Sequence, residues 1–145
     1  MMKKVRVYDF ESREMWIAND YEELSELFIA LNTDDSIFSE PMQSTGLLDE
    51  KGNDVFEGDV VELHHFTENY STTGGFYEGE ESLVGVVRYG YTDDEIKYFG
   101  KIYPPRWFLE NRYRKLDFSD LSGLHGESFK VIGDIYRNPE LVEGL

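Results

Sequence analysis

Hydrophobic positions along this chain recur mainly at strand spacing, and at helix spacing in one place. Val5 and Val7, then Met15 and Ile17, stand two residues apart on either side of the polar run Glu11-Ser12-Arg13. That pattern predicts two short strands joined by a turn. Tyr21, Leu24, Leu27, Phe28 and Leu31 instead recur at three- and four-residue spacing, which makes one apolar face and predicts a helix over residues 21–31. Asp20 stands as its N-cap and Glu23 completes a capping-box pattern, while Asn32-Thr33-Asp34-Asp35 ends it.

The stretch from Met42 to Val61 organises the rest. Leu47 and Leu48 precede the cluster Asp49-Glu50-Lys51-Gly52-Asn53, and Val55 and Phe56 follow it, so the segment reads as a hairpin in which Gly52 supplies a positive φ. A second corner follows at Glu57-Gly58-Asp59, and a β-branched strand leaves it toward Phe66. Gly46, Gly52 and Gly58, each at or beside a chain reversal, are expected to serve the fold rather than a ligand. Asp49, Glu57 and Asp59 are expected to bond the backbone of their own corners. Thr67 to Ser82, rich in Gly, Ser, Thr and Glu, reads as a long mobile loop or hairpin tip. Leu83–Tyr89, Ile96–Phe99, Ser128–Ile132 and Ile135-Tyr136 read as strand, with Gly133 as a bulge. Trp107–Leu109 is a short apolar run, and residues 117–126 read as irregular.

These elements predict a mainly β (or β-rich α+β) fold in a single domain over 1–145. The expected form is a small, strongly bent antiparallel sheet or incomplete barrel with one helix packed on it. The expected core is Val5, Val7, Leu24, Leu27, Phe28, Leu47, Phe56, Val61, Val86, Trp107, Ile132 and Ile135.

Composition narrows the functional classes. The chain has 145 residues, 40% hydrophobic and 15% aromatic, which suits a globular body with a sizeable core. There is no cysteine, so disulfides, thiolate catalysis and thiolate-bound metal are out, and a reducing cytoplasm fits. No apolar run approaches the ~20 residues of a membrane span, and Met1-Met2-Lys3-Lys4 does not lead into a signal-peptide core. The net charge of −16 is uneven: residues 1–40 carry −6, residues 41–100 carry −10 and residues 101–145 are neutral. Phosphate attraction by the whole body is therefore disfavoured. An acidic surface that imitates nucleic acid is an alternative to simple solubility.

The same residues carry a family resemblance. Gln43, Thr45, Gly46, Leu47, Asp49, Phe56, Glu57, Gly58, Asp59 and Val61 match a signature that runs roughly Q-x-TGL-x-D-x-NG-x-x-[IVF]-[YF]-EGD-[IV]-V, although Lys51-Gly52-Asn53 replaces its Asn-Gly turn. Val5-Arg6-Val7-Tyr8-Asp9 with Glu14-Met15 is similar to the opening "FRAWD…KKM". Val131 to Leu141, VIGDIYRNPEL, is similar to the closing "VIGNIYENPEL". In these three blocks the chain resembles the YopX family of phage and prophage proteins. The resemblance implies a mostly β fold and supplies no activity.

No residue pattern points to catalysis or a cofactor. Neither a phosphate-binding G-x-x-x-x-G-K-[ST] nor a helix-opening G-x-G-x-x-G occurs. Residues 49–59 fail as an EF-hand because Lys51 stands at the third ligand position. His64 and His65 are adjacent on a strand and point to opposite faces, which leaves no set of zinc ligands. The expectation is a protein without enzyme activity, cofactor or metal.

One stretch opposes the global charge. Between residues 101 and 115, Lys101, Arg106, Arg112, Arg114 and Lys115 interleave with Trp107, Phe108 and Tyr113. Arginine and aromatics suit a protein interface, and cations beside stackable rings suit single-stranded nucleic acid. The residues expected to make contact are Lys101, Arg106, Trp107, Arg112, Tyr113, Arg114 and Lys115. The expected function is a noncatalytic interaction or assembly module in the bacterial cytoplasm, with a protein partner or itself. A homo-oligomer would set the acidic front half against the 101–115 segment of a neighbour. Single-stranded nucleic-acid binding is the alternative.

Overall fold

The computed structural model describes residues 3–33, 37–70, 76–90, 105–112, 115–117, 128–143 and 145. The expected strand Ile96–Phe99 and most of the irregular stretch 117–126 lie outside them. Among the described residues the fold is mainly β, with one α-helix. β1 (Val5–Asp9) pairs antiparallel with β2 (Glu14–Ala18), and α1 (Tyr21–Thr33) follows. β3 (Met42–Leu48) and β4 (Asp54–Phe56) complete a four-stranded sheet of order β2-β1-β3-β4. β5 (Asp59–Tyr70), β6 (Phe76–Gly90), β7 (Arg106–Glu110), β8 (Lys115–Asp117) and β9 (Ser128–Asp134) form a second sheet of order β8-β7-β6-β5-β9.

The first sheet is a curled half-barrel. Its bend has a local cause: the β3–β4 register shifts between Ser44 and Leu48, and Gly46 sits inside that irregularity with φ +82°. Gly46 therefore lies within a strand rather than at a reversal. Gly52, also at φ +82°, occupies the hairpin turn.

The helix begins as its sequence dictates. Glu23 N donates to Asp20 Oδ1 at 2.8 Å, and Glu23 Oε2 accepts from Asn19 N at 2.8 Å, so the reciprocal half of the box reaches one residue further back than the usual pattern. Leu27 is buried with Val7 and Ala18, and Val5, Leu24, Leu31 and Phe38 pack around them. Phe28 and Tyr21 depart from expectation, being 45% and 73% exposed. The buried stripe runs through Leu24, Leu27 and Leu31, which pack with Val7 and Ala18, and these two rings stand at its margin.

A second core of Val55, Val61, Leu63, Val87 and Leu109 fills the larger sheet, with Leu47, Trp107 and Val131 packed against it. Val86 and Phe56 are buried as expected, while Ile132 and Ile135 are partly covered. Of the stretch Thr67–Ser82, read as a loop or hairpin tip, the described residues 67–70 and 76–82 are the two arms of a hairpin, with β5 pairing with β6 through Tyr70↔Phe76; residues 71–75 lie outside the described ones. Ladder pairing that starts on apolar residues 60–63 continues along the chain because the backbone bonds do not require apolar side chains. The bulge lies where Gly133 signals it, with Val60 opposite Gly133 and Val61 opposite Val131, which leaves Ile132 as the extra residue. Ile135-Tyr136 is turn rather than strand. Asp134 Oδ1 accepts from Tyr136 N at 3.0 Å and from Arg137 N at 2.8 Å, which ends the ladder.

Candidate functional site

Strand alternation puts Val5 and Val7 toward the helix and Arg6 toward the opposite face. There Arg6 meets the Glu57-Gly58-Asp59 corner and is only 4% exposed. Its Nη2 donates to Asp59 Oδ1 at 2.7 Å and to the Glu57 carbonyl at 3.2 Å, and its guanidinium lies 4.6 Å from the centre of the Phe56 ring. Asp59 Oδ2 accepts from Phe56 N at 2.7 Å, so one carboxylate both caps the corner and neutralises the arginine. Arg6 Nε has no hydrogen-bond partner among the described residues. Asp134, fully buried, takes Arg137 Nε at 2.6 Å in addition to its two backbone donors.

The acids differ in charge balance. Burial pushes the Asp59 carboxyl up, Arg6 opposes that, and the neighbouring Asp134 adds to it. Burial likewise raises Glu57. Burial also acts on Asp134, but the Arg137 bonds and charge outweigh it and hold the group below its ordinary value. Gly58 locks the corner to its surroundings: with φ +86°, its N–H donates to the Val87 carbonyl at 2.8 Å and its carbonyl accepts from Ile135 N at 3.0 Å. A Cβ there would meet Met42 Sδ at 3.0 Å.

Asp49 performs the same task at the hairpin. Its Oδ1 accepts from Lys51 N and Asn53 N at 3.0 and 2.8 Å, and its Oδ2 accepts from Val131 N at 3.0 Å. Glu50 N donates to the Phe129 carbonyl at 3.0 Å. The turn thus covers the outer edge of β9. These hydrogen bonds hold Asp49 below its ordinary value despite burial. The signature acids Asp49 and Asp59 are committed to joining strands.

The basic–aromatic stretch is only partly placed. Lys101, Tyr113 and Arg114 lie outside the described residues. Lys115 opens β8 opposite Glu110 in register, and its side chain is likewise outside. Arg106 and Arg112 are exposed at either end of β7. Trp107 is half-buried, packs on the second core and stands 4.8 Å from the Tyr89 ring, opposite it in register. Tyr89 is 44% exposed, and sequence reading had no means of bringing it to Trp107. Arg6 was also missed: an arginine in an alternating strand reads as solvent-facing, although the resemblance to the family's opening motif included an arginine there.

The chain matches the model described as "YopX protein" over residues 2–143. It belongs to the YopX family. No curated protein matches it. Among solved structures it is similar to protein EF1440 from Enterococcus faecalis, at 20% identity and TM-score 0.49 over 98% of this chain and 99% of that one. Within this YopX-family chain, no group of three or more His, Asp or Glu able to hold a metal occurs among the described residues. No helix among them is long and apolar enough to cross a membrane.

Proposed function

We propose that this YopX-family chain is a phage- or prophage-encoded, noncatalytic protein-interaction or assembly module. The supporting observation is the pair of exposed Tyr89 and half-buried Trp107 on β6 and β7, with the exposed cations Arg106 at the start of β7 and Arg112 just past its end. Half-buried rings held rigidly by a sheet, beside arginines, are the composition of an interface anchor. Tyr89→Ala with Arg106→Glu is expected to abolish capture of the partner from infected cells while leaving the circular dichroism spectrum intact. Capture unchanged by both substitutions would move the interface elsewhere. Self-association on this face predicts light scattering above the monomer mass at high micromolar concentration, lost in the same variant.

The nucleic-acid reading draws on the same stackable ring beside cations. It predicts single-strand binding that weakens with salt, with a shallower slope once Arg106 and Arg112 are neutralised. No binding at low salt discards it.

A further inference from the structure

A second surface lies in the acidic front part of the chain, within residues 1–40. β2 is an edge strand: it pairs with β1 alone among the described residues. A groove of about 350 Å³ runs beside it, bounded by Trp16 through Asn19 on one side and by Glu23, Glu26 and Leu27 of α1 on the other. Successive residues of a strand point to opposite faces, so a groove that touches Trp16, Ile17 and Ala18 in succession follows the strand's edge rather than one of its faces. Trp16 and Ile17 are 45% and 44% exposed along it. Edge strands in natural proteins are ordinarily blunted by Lys, Pro, a bulge or a cover. β2, EMWIA, has no Lys, Pro or bulge and pairs with β1 in unbroken register, and α1 stands across the groove from it.

The chemistry of the rim selects the occupant. Glu23 Oε2 is engaged by Asn19 N. Glu26 is exposed, and its carboxylate makes no hydrogen bond or ion pair among the described residues. An occupant entering between β2 and α1 therefore meets an unbalanced carboxylate beside apolar Trp16, Ala18 and Leu27. A second copy meeting the groove with its own front half is disfavoured, because residues 1–40 carry −6.

We infer that the β2–α1 groove binds an extended, basic–apolar peptide segment of a partner protein by β-strand addition. The partner's backbone extends the sheet at β2, one apolar side chain of each alternating pair enters against Trp16 and Leu27, and a Lys or Arg reaches Glu26. This rests on the reading of the chain as an interaction module, and it adds a site distinct from the Tyr89–Trp107 face.

The test uses the full chain and a blocked synthetic peptide, Lys-Val-Lys-Val-Lys-Val. Amide NMR shifts are expected over Met15–Asn19 and Glu23–Leu27. Glu26→Lys and Glu26→Gln are expected to weaken binding, the former by at least about tenfold. A Glu-Val repeat, and the Lys-Val peptide N-methylated at alternate amides, are expected not to bind. Shifts confined to β6 and β7, equal binding of the acidic or N-methylated peptide, or no saturable binding would each overturn the proposal. Self-association lost in Glu26→Lys would show a second copy in the groove and overturn it too. If the peptide fails while capture from infected cells still depends on Tyr89, the groove proposal falls and the interaction reading stands.

Discussion

The outer edge of β9 and the outer edge of β2 end the two sheets in opposite ways. At β9 the hairpin turn lies across the strand, with Asp49 Oδ2 on Val131 N and Glu50 N on the Phe129 carbonyl. At β2 no strand follows among the described residues, and apolar Trp16 and Ile17 stand half-exposed beside it. The difference shows where this chain spends its charge. Its buried acids serve to close an edge and a corner, while its apolar surplus is left on the open side. A carboxylate accepts several backbone donors at once, which makes it an efficient closure where no strand is available.

The largest expected effect tests the closed side. Asp59→Ala removes the partner of a buried guanidinium and should lower unfolding free energy by ~3–5 kcal/mol, read from urea titration. Replacing Arg6 and Asp59 together by Met and Leu should recover much of that loss, since the buried charge is then gone. A double variant as unstable as Asp59→Ala would mean that the corner, rather than the ion pair, holds the sheets.

Asp49→Ala should cost about 2–4 kcal/mol, because three backbone donors lose a charged acceptor, and it should open β9. Hydrogen exchange at Val131 should then rise toward that at Ile17. Protection retained at Val131 would make the two edges less different than drawn.

Acid separates the same acids by sign. Asp49 and Asp134 are held below 3.8, so the stability they contribute is present above that pH and fades as pH falls through their lower folded values. Asp59 is raised above 3.8, so the pH-linked part of its contribution is complete below that pH and fades as pH rises through its folded value, while its pairing with Arg6 opposes that loss. Asp134→Asn should flatten the acid limb of the urea midpoint. Carboxyl NMR titrations should place Asp59 above Asp134, and the reverse order would remove the assigned roles.

Gly52→Val should cost on the order of 1 kcal/mol or more from the left-handed backbone alone, since nothing lies within 4 Å of a Cβ there. Binding by the folded fraction should be unchanged. Lost affinity with kept stability would instead make the turn a recognition loop. The smallest effect belongs to the open side: Ile17→Thr should move stability by no more than ~0.5 kcal/mol, while reducing Lys-Val peptide binding.

Elements with local causes were legible in the sequence. Two-residue spacing around 5–7 and 15–17 set the first hairpin, Asp20 and Glu23 set the helix start, and Gly52 with Asp49 set the signature turn. Gly133 marked the bulge opposite Val60 and Val61. Tertiary structure decided what depends on distant partners. Residues 67–70 and 76–82 became ladder because each strand satisfied the other's backbone. Phe28 was left out because it stands at the margin of the helix stripe that packs on Val7 and Ala18. Arg6 went inside because Asp59, far along the chain, was folded onto it. Tyr89 reached Trp107 only through the β6–β7 register. Local sequence carries spacing and dihedral preference, and neither contains the cross-chain distances on which burial and charge pairing depend.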